Sequence, residues 1–329
     1  MKRIAIVGAG VSGLTCGVLC AECGRRVSIF AEEFGQKTTS AAAAAIWYPY
    51  DAEPADKIIA WALATYQVLV DLARDSLSGV SMLELRTFSR IGPIQIPEWA
   101  HALGATVIPT DVEQSVAINY SAFKSGFALN VPLIDTTIYL DYLTNRFQKA
   151  GGSINGNVRF EKLEDVGPAF ELVINCAGIG ARTLVPDRDL ESHRGQIVIG
   201  PKIESVSCAI VCDDPPLMYV IPRTNDCVYG GSNELSEDRQ IDPAATARIV
   251  AECSRVLNID SPRVLAERVG LRPFRKSGVR LERGQLRDGR DVIHNYGHGG
   301  AGFTLSWGCA QQVLQLTRLQ QSAQLPGMS

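Results

Sequence analysis

Apolar and polar positions in the first part of the chain follow the pattern of a βαβ unit. Residues 2–7 form a short apolar run typical of a buried strand, and residues 11–23 form an apolar stretch of helical length. Gly24 ends this stretch, and residues 26–30 form a second apolar run. The pattern therefore predicts a strand, a helix and a second strand, with a glycine-rich turn between the first two.

The rest of the chain switches repeatedly between helical and strand periodicity. Residues 54–79 carry apolar residues at helical spacing, whereas residues 80–135 alternate short apolar runs with glycine and proline, as antiparallel strands do. Because segments suited to a nucleotide-binding sheet lie at both ends and in the middle, we expect two interleaved domains. Further helices are predicted over 136–150, 243–257 and 306–319, and further strands over 171–176, 196–199, 205–211, 219–221, 227–229 and 292–295.

Length and charge narrow the class of protein. The 329 residues suffice for two domains, or for one large domain with an inserted lobe. A net charge of −3 without a long basic run argues against nucleic-acid binding, which needs clustered basic residues. The apolar run 41–46 is too short to span a bilayer, and the N-terminal run is too short for a signal peptide. The C-terminal sequence is not a peroxisomal signal, so we expect a cytoplasmic protein without a membrane or nucleic-acid partner.

A dinucleotide-binding loop is predicted near the N-terminus. Residues 8–13 read Gly-Ala-Gly-Val-Ser-Gly, a G-x-G-x-x-G motif between a predicted strand and a predicted helix. Gly8 permits the tight turn, Gly10 lets the backbone approach a pyrophosphate, and Gly13 allows close packing of helix and strand. Glu32, which lies 19 residues after Gly13, is placed to accept hydrogen bonds from ribose hydroxyls. This motif alone does not distinguish FAD from NAD.

A second glycine-rich segment near the C-terminus favours FAD. Residues 292–302 contain four glycines within six residues, between a predicted strand and a predicted helix. Ordering so many glycines is entropically costly, which indicates a close approach of the backbone to a ligand. Backbone amides of Gly302, Phe303 and Thr304 at a helix start are suited to a flavin carbonyl oxygen, and the helix dipole would stabilise a reduced flavin. A simple NAD-binding domain does not need this segment.

The segment 292–310 resembles the signature of the D-amino acid oxidase and D-aspartate oxidase family. The N-terminal loop and five other motifs, all before this segment, also occur in the family's order. The resemblance therefore extends over nearly the whole chain. These motifs are Thr38-Thr39-Ser40, Trp47-Tyr48-Pro49-Tyr50, Asn175-Cys176-Ala177-Gly178, Arg194-Gly195-Gln196 and Gly270-Leu271-Arg272-Pro273.

The resemblance implies an α/β fold (α+β overall) in which two discontinuous domains are interleaved. Residues 1–50, 136–195 and 270–329 would form a Rossmann-like FAD-binding domain. Residues 51–135 and 196–269 would form a substrate-binding domain on a mixed, largely antiparallel sheet. The implied cofactor-binding residues are Gly8, Gly10, Val11, Ser12, Gly13, Glu32, Glu33, Thr38, Thr39, Ser40, Ile46, Trp47, Val158, Cys176, Ala177, Gly178, Gly299, Gly300, Gly302, Phe303 and Thr304.

The resemblance also implies a reaction: a D-amino acid passes a hydride from Cα to flavin N5, dioxygen is reduced to hydrogen peroxide, and a 2-oxo acid and ammonia are formed. Arg272 matches the family's arginine for the substrate carboxylate, a role that suits the planar guanidinium fork, with Arg275 as its competitor. Tyr219 matches the tyrosine that holds the same carboxylate. Gly300 matches the glycine whose carbonyl accepts the substrate amine. Tyr50 is assigned to the pocket wall or to the core.

The substrate side chain is less well defined by the sequence. Residues 213–218 lead directly into Tyr219, whereas animal members of the family carry a longer lid with a second tyrosine. Arg223 is the one candidate partner for an acidic side chain, and a strand-edge position is expected for it. A neutral or hydrophobic D-amino acid is therefore favoured.

Several alternatives stay open at this point. An oxidase of D-aspartate, glycine or an N-methyl amino acid shares the same motifs, and an NAD-dependent dehydrogenase shares the first of them. The four histidines are dispersed, and Gly297 separates His294 from His298, so no metal site is expected. The resemblance further implies a homodimer.

Overall fold

A computed structural model describes residues 3–49, 55–109 and 118–318. In chain order the strands are β1 (Arg3–Ala9), β2 (Arg26–Phe34), β3 (Val80–Ser89), β4 (Thr106–Ile108), β5 (Ser125–Ile134), β6 (Ser153–Asn155), β7 (Leu172–Asn175), β8 (Leu190–Pro201), β9 (Ala209–Cys212), β10 (Met218–Pro222), β11 (Asp226–Gly230), β12 (Glu234–Leu235), β13 (Ala266–Arg275), β14 (Arg280–Gln285) and β15 (Asp291–Tyr296). The helices are α1 (Val11–Glu22), α2 (Ala55–Leu72), α3 (Glu98–Ala102), α4 (Thr136–Lys149), α5 (Ala181–Leu184), α6 (Pro243–Leu257) and α7 (Gly302–Arg318).

Six strands form the first sheet, in the order β14-β15-β7-β1-β2-β6. All neighbours are parallel except β14 and β15. Ile4 and Ile6 of β1 are almost fully buried, as expected for a parallel strand covered on both faces. Helix α1 packs against α4 and α7 beside this sheet. The predicted Rossmann-like part of the fold is confirmed.

Nine strands form the second sheet. Eight follow the order β12-β8-β11-β10-β9-β3-β5-β4, and β13 pairs with β8 as well. Every pairing is antiparallel except the one between β3 and β9. The predicted mixed, largely antiparallel sheet is therefore confirmed. Along the chain, β3–β5 and β8–β13 belong to the second sheet, and β1, β2, β6, β7, β14 and β15 belong to the first. This alternation agrees with interleaved segments.

The predicted domain boundaries near residues 195 and 269 fall inside strands. Strands β8 and β13 belong to the second sheet over their whole length and pair with each other from Ala266 with Ile199 to Arg275 with Leu190. The division into two domains itself stays a prediction. A domain boundary that follows the hydrogen bonds between strands would place both strands entirely with the second sheet.

Helix boundaries follow from local capping. Helix α4 begins where the Asp135 carboxylate accepts a hydrogen bond from the Thr137 amide, and α6 begins at Pro243 after Asp242 caps the Ala244 amide. Asn258 ends α6 in a left-handed conformation. Helix α7 begins four residues before the prediction. Among the described helices none has both the length and the apolar character of a membrane span.

Candidate active site

One large cavity collects residues from both sheets. Its volume is about 1090 Å³, at the upper end of the range for small-molecule sites. Strands β1 and β2 of the first sheet line one part of it, and strands β8, β9, β10 and β13 of the second sheet line another. The cavity therefore has room for an elongated ligand together with a smaller one.

The glycine loop between β1 and α1 forms one wall of the cavity. Gly8 has a φ of +109°, and a Cβ there would lie 2.3 Å from the carbonyl oxygen of Cys176. A Cβ on Gly13 would lie 2.0 Å from the carbonyl oxygen of Gly8, so Gly13 serves the packing of α1 and does not line the cavity. The first α1 amide, of Val11, donates to Ser40 Oγ at 3.0 Å. Gly10, Val11 and Ser12 line the cavity, so the N-terminus of α1 faces it in the way that suits a pyrophosphate.

The end of β2 places two carboxylates at the cavity. Glu32 and Glu33 both line it, and Val158 is held beside them because its amide donates to the Ala31 carbonyl at 3.0 Å. Arg159 lies 3.4 Å from Glu32, and Arg239 lies 3.3 Å from Glu33. These exposed ion pairs are weak and leave carboxylate oxygens available for ribose hydroxyls.

The C-terminal glycine segment forms a neighbouring wall, with Gly302 close to Val11. Gly297 and Gly299 adopt φ values of +87° and +53°, a left-handed conformation that glycine adopts at low cost. Helix α7 then begins at Gly302, and its first amides have no acceptor within the helix. The Thr304 hydroxyl bonds the backbone of Tyr48, at 3.1 Å from its nitrogen and 3.0 Å from its oxygen. Thr304 is therefore left with its backbone amide for a cofactor.

Tyr219 and Arg272 meet at the end of the cavity that is formed by the second sheet. The guanidinium of Arg272 lies beside the Tyr219 hydroxyl and donates a hydrogen bond to the Ser232 carbonyl at 2.9 Å. Burial raises the pKa of the Tyr219 hydroxyl, against the opposing effect of Arg272. The phenol thus stays protonated and available as a donor. A cation and a hydroxyl donor on one wall form a carboxylate-binding arrangement.

Comparison with known proteins agrees with this arrangement. Residues 3–316 match the family described as FAD dependent oxidoreductase. The chain belongs to this family. It is 39% identical over 321 residues to the D-amino-acid oxidase of Streptomyces coelicolor, over 95% of this chain and 96% of that protein. The human D-aspartate oxidase is 30% identical over 329 residues, 95% of this chain and 94% of that protein. Glycine oxidase from Geobacillus kaustophilus has a similar fold, with a TM-score of 0.81 and 16% identity over 97% and 95% of the two chains.

Most of the predicted site residues of this FAD-dependent oxidoreductase line the cavity. Among the described residues, the exceptions are Gly13 and Trp47. Trp47 is fully buried and its indole nitrogen donates to the Ala62 carbonyl at 2.9 Å, so its side chain belongs to the core. Tyr50 lies outside the described residues. Gly300, Cys176 and the other predicted positions are in the lining, where a dinucleotide with a flavin end fits.

The two alternative arginines are engaged elsewhere. Arg275 Nε lies 2.8 Å from a carboxylate oxygen of Asp187. Arg223 is buried and forms two hydrogen bonds with Asp226, at 2.6 and 2.7 Å. Both guanidinium groups are held in internal ion pairs, and neither residue lines the cavity. Arg272 is therefore the arginine that the structure places with Tyr219.

Several lining residues were missed by the sequence analysis. Tyr48 lines the cavity beside the predicted motif residues, and Val211, Asp213 and Leu217 line it near Tyr219. Tyr48 stands in a motif already singled out, so its sequence signal was present. Asp213 and Leu217 stand in the short segment already noted before Tyr219, whereas Val211 on β9 has no motif and its place at the site follows only from the sheet.

His298 is a buried member of the lining whose state depends on a hydrogen bond. Its Nε2 lies 3.1 Å from Asn295 Oδ1, and the Asn295 amide nitrogen donates to Ser12 Oγ at 3.0 Å. The amide oxygen only accepts, so the neutral ring carries its proton on Nε2. Burial lowers the pKa of His298 to about 4 and, with a smaller effect of Arg280, that of His294 to about 4.

We expect acid to destabilise the protein through these two histidines. The unfolded chain takes up their protons near pH 6.5, whereas the folded chain resists protonation down to about pH 4. The free energy of unfolding therefore has its full value above pH 6.5. Between pH 6.5 and 4 it falls by about 1.4 kcal/mol per histidine for each pH unit. Urea unfolding at pH 7.5 and pH 5, with FAD saturating, measures this. His298→Gln should reduce the difference, whereas the same substitution at the exposed His101 should not.

Proposed function

We propose that this chain oxidises D-amino acids at Cα with FAD, giving a 2-oxo acid, ammonia and hydrogen peroxide with dioxygen as the final oxidant. The observation that carries the proposal is the meeting of Arg272 and Tyr219 in the same cavity as the two glycine-rich walls. The similarity to D-amino-acid oxidases over nearly the full length supports it.

The chain's own residues would bind and orient the substrate. When bound, FAD supplies the two-electron acceptor for this chemistry. Arg272 would bind the substrate carboxylate with its planar fork, and the Tyr219 hydroxyl would donate a second hydrogen bond to it. The carbonyl of Gly300 would accept a hydrogen bond from the amine. When the carboxylate and the amine of Cα are both held, only one enantiomer would point its Cα hydrogen towards the flavin. This supports selectivity for one enantiomer.

The wall near Tyr219 favours neutral or hydrophobic side chains. Val211 pairs with Tyr219 across the sheet, and Leu217 and Ile221 lie two residues before and after it, on the same face. Asp213 adds a carboxylate to the lining. An acidic side chain would meet apolar groups and a like charge, which disfavours D-aspartate.

Among the residues that the structure describes, the lining near Tyr219 offers no second cation for an acidic substrate. Among the described lining residues, the arginines besides Arg272 are Arg159 and Arg239. Both are paired with carboxylates at the β2 end of the cavity. This distribution of charge favours a neutral side chain over the acidic side chain of D-aspartate.

A substrate panel tests the proposal. The protein, purified with added FAD, is assayed for peroxide with D-leucine, D-methionine, D-aspartate, glycine, N-methylglycine and L-leucine. We expect kcat/KM for neutral D-amino acids to exceed that for D-aspartate by about 100-fold or more, because an unpaired charge is costly to bury. Oxidation of L-leucine at a comparable rate would contradict the assigned stereochemistry. Preference for D-aspartate or glycine would overturn the proposed side-chain class.

A further inference from the structure

Arg272 and Tyr219 come from strands that are not neighbours. Tyr219 lies on β10 and Arg272 on β13, and the strands β11 and β8 run between them. Three strand spacings correspond to about 14 Å. The guanidinium of Arg272 nevertheless lies beside the Tyr219 hydroxyl, so each side chain must lie flat across the strand next to its own.

Arg272 crosses β8 at a glycine. Its register partner on β8 is His193, but its guanidinium lies over Gly195, two residues further along. A Cβ on Gly195 would lie 2.4 Å from both terminal nitrogens of Arg272 and 2.5 Å from Cζ. Beyond this crossing, the guanidinium donates to the Ser232 carbonyl at 2.9 Å. A side chain at position 195 would occupy the place of the carboxylate-binding fork.

Tyr219 crosses β11 at another glycine. Gly230 is its direct partner in the β10–β11 pairing. A Cβ on Gly230 would lie 2.0 Å from Tyr219 Cζ and 2.5 Å from its hydroxyl oxygen, and one on Gly231 would lie 2.6 Å from the ring. The Arg272 side chain thus lies over Gly195 and the Tyr219 side chain over Gly230. They approach each other from opposite directions and meet above residues 230–232.

We propose that Gly195 and Gly230 are positioning residues for substrate binding. Their missing side chains leave a flat floor on which Arg272 and Tyr219 reach each other across two strands. The inference rests on the proposed function, because it takes Arg272 and Tyr219 as the carboxylate-binding pair. It adds that the specificity of this pair for a carboxylate depends on two residues that make no contact through a side chain of their own.

The Gly195→Ala variant tests the floor without a large expected cost in folding. The atoms that a Cβ would meet are the end of a flexible side chain, so the guanidinium moves while the strand stays. We expect KM for a neutral D-amino acid to rise about 10- to 100-fold, because one charge-assisted hydrogen bond is lost. Kd for benzoate, measured by the change in flavin absorbance, should rise by the same factor. FAD content and the unfolding midpoint should stay near those of the unchanged protein.

A matched control and a double variant separate positioning from general damage. Gly284→Ala, in strand β14 of the other sheet, places its Cβ 3.6 Å from Val292 and should leave KM and Kd unchanged. In the Arg272→Ala background, Gly195→Ala should change benzoate affinity less than twofold, since no guanidinium is left to displace. A penalty of the same size in both backgrounds would overturn the inference, as would wild-type KM in Gly195→Ala.

The two proposals fail in distinguishable ways. If Arg272→Ala leaves KM and benzoate affinity unchanged, the assigned carboxylate anchor is wrong. If Arg272→Ala weakens binding and Gly195→Ala does not, only the floor is wrong. Gly230→Ala provides the second test: benzoate binding should weaken in it, and the same substitution should have little effect in a Tyr219→Ala background. Equal weakening in both backgrounds would remove Gly230 from the floor.

Discussion

Replacing Arg272 by alanine is expected to lower kcat/KM for D-amino acids by about 10²- to 10⁴-fold, mainly through KM, with FAD still bound. Removing one partner of a buried, hydrogen-bonded charge pair costs about 2 to 5 kcal/mol. The guanidinium is held by the Ser232 carbonyl before any substrate arrives, so little of this energy is spent on ordering it. Steady-state peroxide assays and the flavin absorbance of the purified variant measure the two quantities.

Two further variants make this result interpretable. Arg272→Lys keeps the charge but loses the fork, so its kcat/KM should lie between those of the unchanged protein and the alanine variant. Arg283→Ala removes an arginine of β14 that pairs with Asp291 at 3.0 Å and does not line the cavity. Its kinetics should be unchanged. Unaltered kcat/KM in Arg272→Ala would exclude Arg272 as the anchor.

The largest effect on stability is expected for Asp187→Ala. One carboxylate oxygen of the buried Asp187 accepts from the Tyr296 hydroxyl at 2.6 Å and from Arg275 Nε at 2.8 Å, with Arg280 at 3.9 Å. Burial raises the pKa of Asp187, but the bonds from Tyr296 and Arg275 outweigh it and lower the pKa below its ordinary value. Removing the carboxylate takes away the negative charge beside the guanidinium groups of Arg275 and Arg280. We expect the free energy of unfolding to fall by about 3 to 5 kcal/mol.

Urea unfolding followed by circular dichroism measures this loss. Asp189→Ala is the matched control, because its half-exposed carboxylate lies 3.8 Å from Arg275 and should contribute about 1 kcal/mol or less. Tyr296 directly precedes Gly297, the first glycine of the C-terminal segment, so Asp187→Ala should also retain less FAD on gel filtration. A stability equal to that of Asp189→Ala would show that Tyr296 and water replace the ion pair.

Local elements were predictable where the chain's own pattern decides them. The helix over 243–257 and the helix beginning at Thr136 appear as predicted, because an aspartate cap precedes each one. Strand β14 (RLERGQ) was not predicted, since its charged residues hide the strand period at the edge of a sheet. Helix α7 begins earlier than predicted because Gly302 reads as a loop residue when its neighbours are unknown.

The choice among arginines shows where sequence information ends. Arg272 and Arg275 lie three residues apart on β13, so they face opposite sides of the sheet. Which side carries the cavity depends on the pairing of β13 with β8. Arg223 is excluded because it does not line the cavity and because Asp226, three residues later, is paired with its guanidinium.

The sequence by itself determined the family, the dinucleotide loop and the C-terminal glycine segment, since each is a run of neighbouring residues whose backbone needs are local. The resemblance already implied that Tyr219 and Arg272 hold the same carboxylate. Only the tertiary structure decided that Trp47 belongs to the core and that Gly195 and Gly230 lie beneath the pair. The physical reason is that these contacts join residues from separate strands, and the order and register of those strands depend on the packing of the whole sheet.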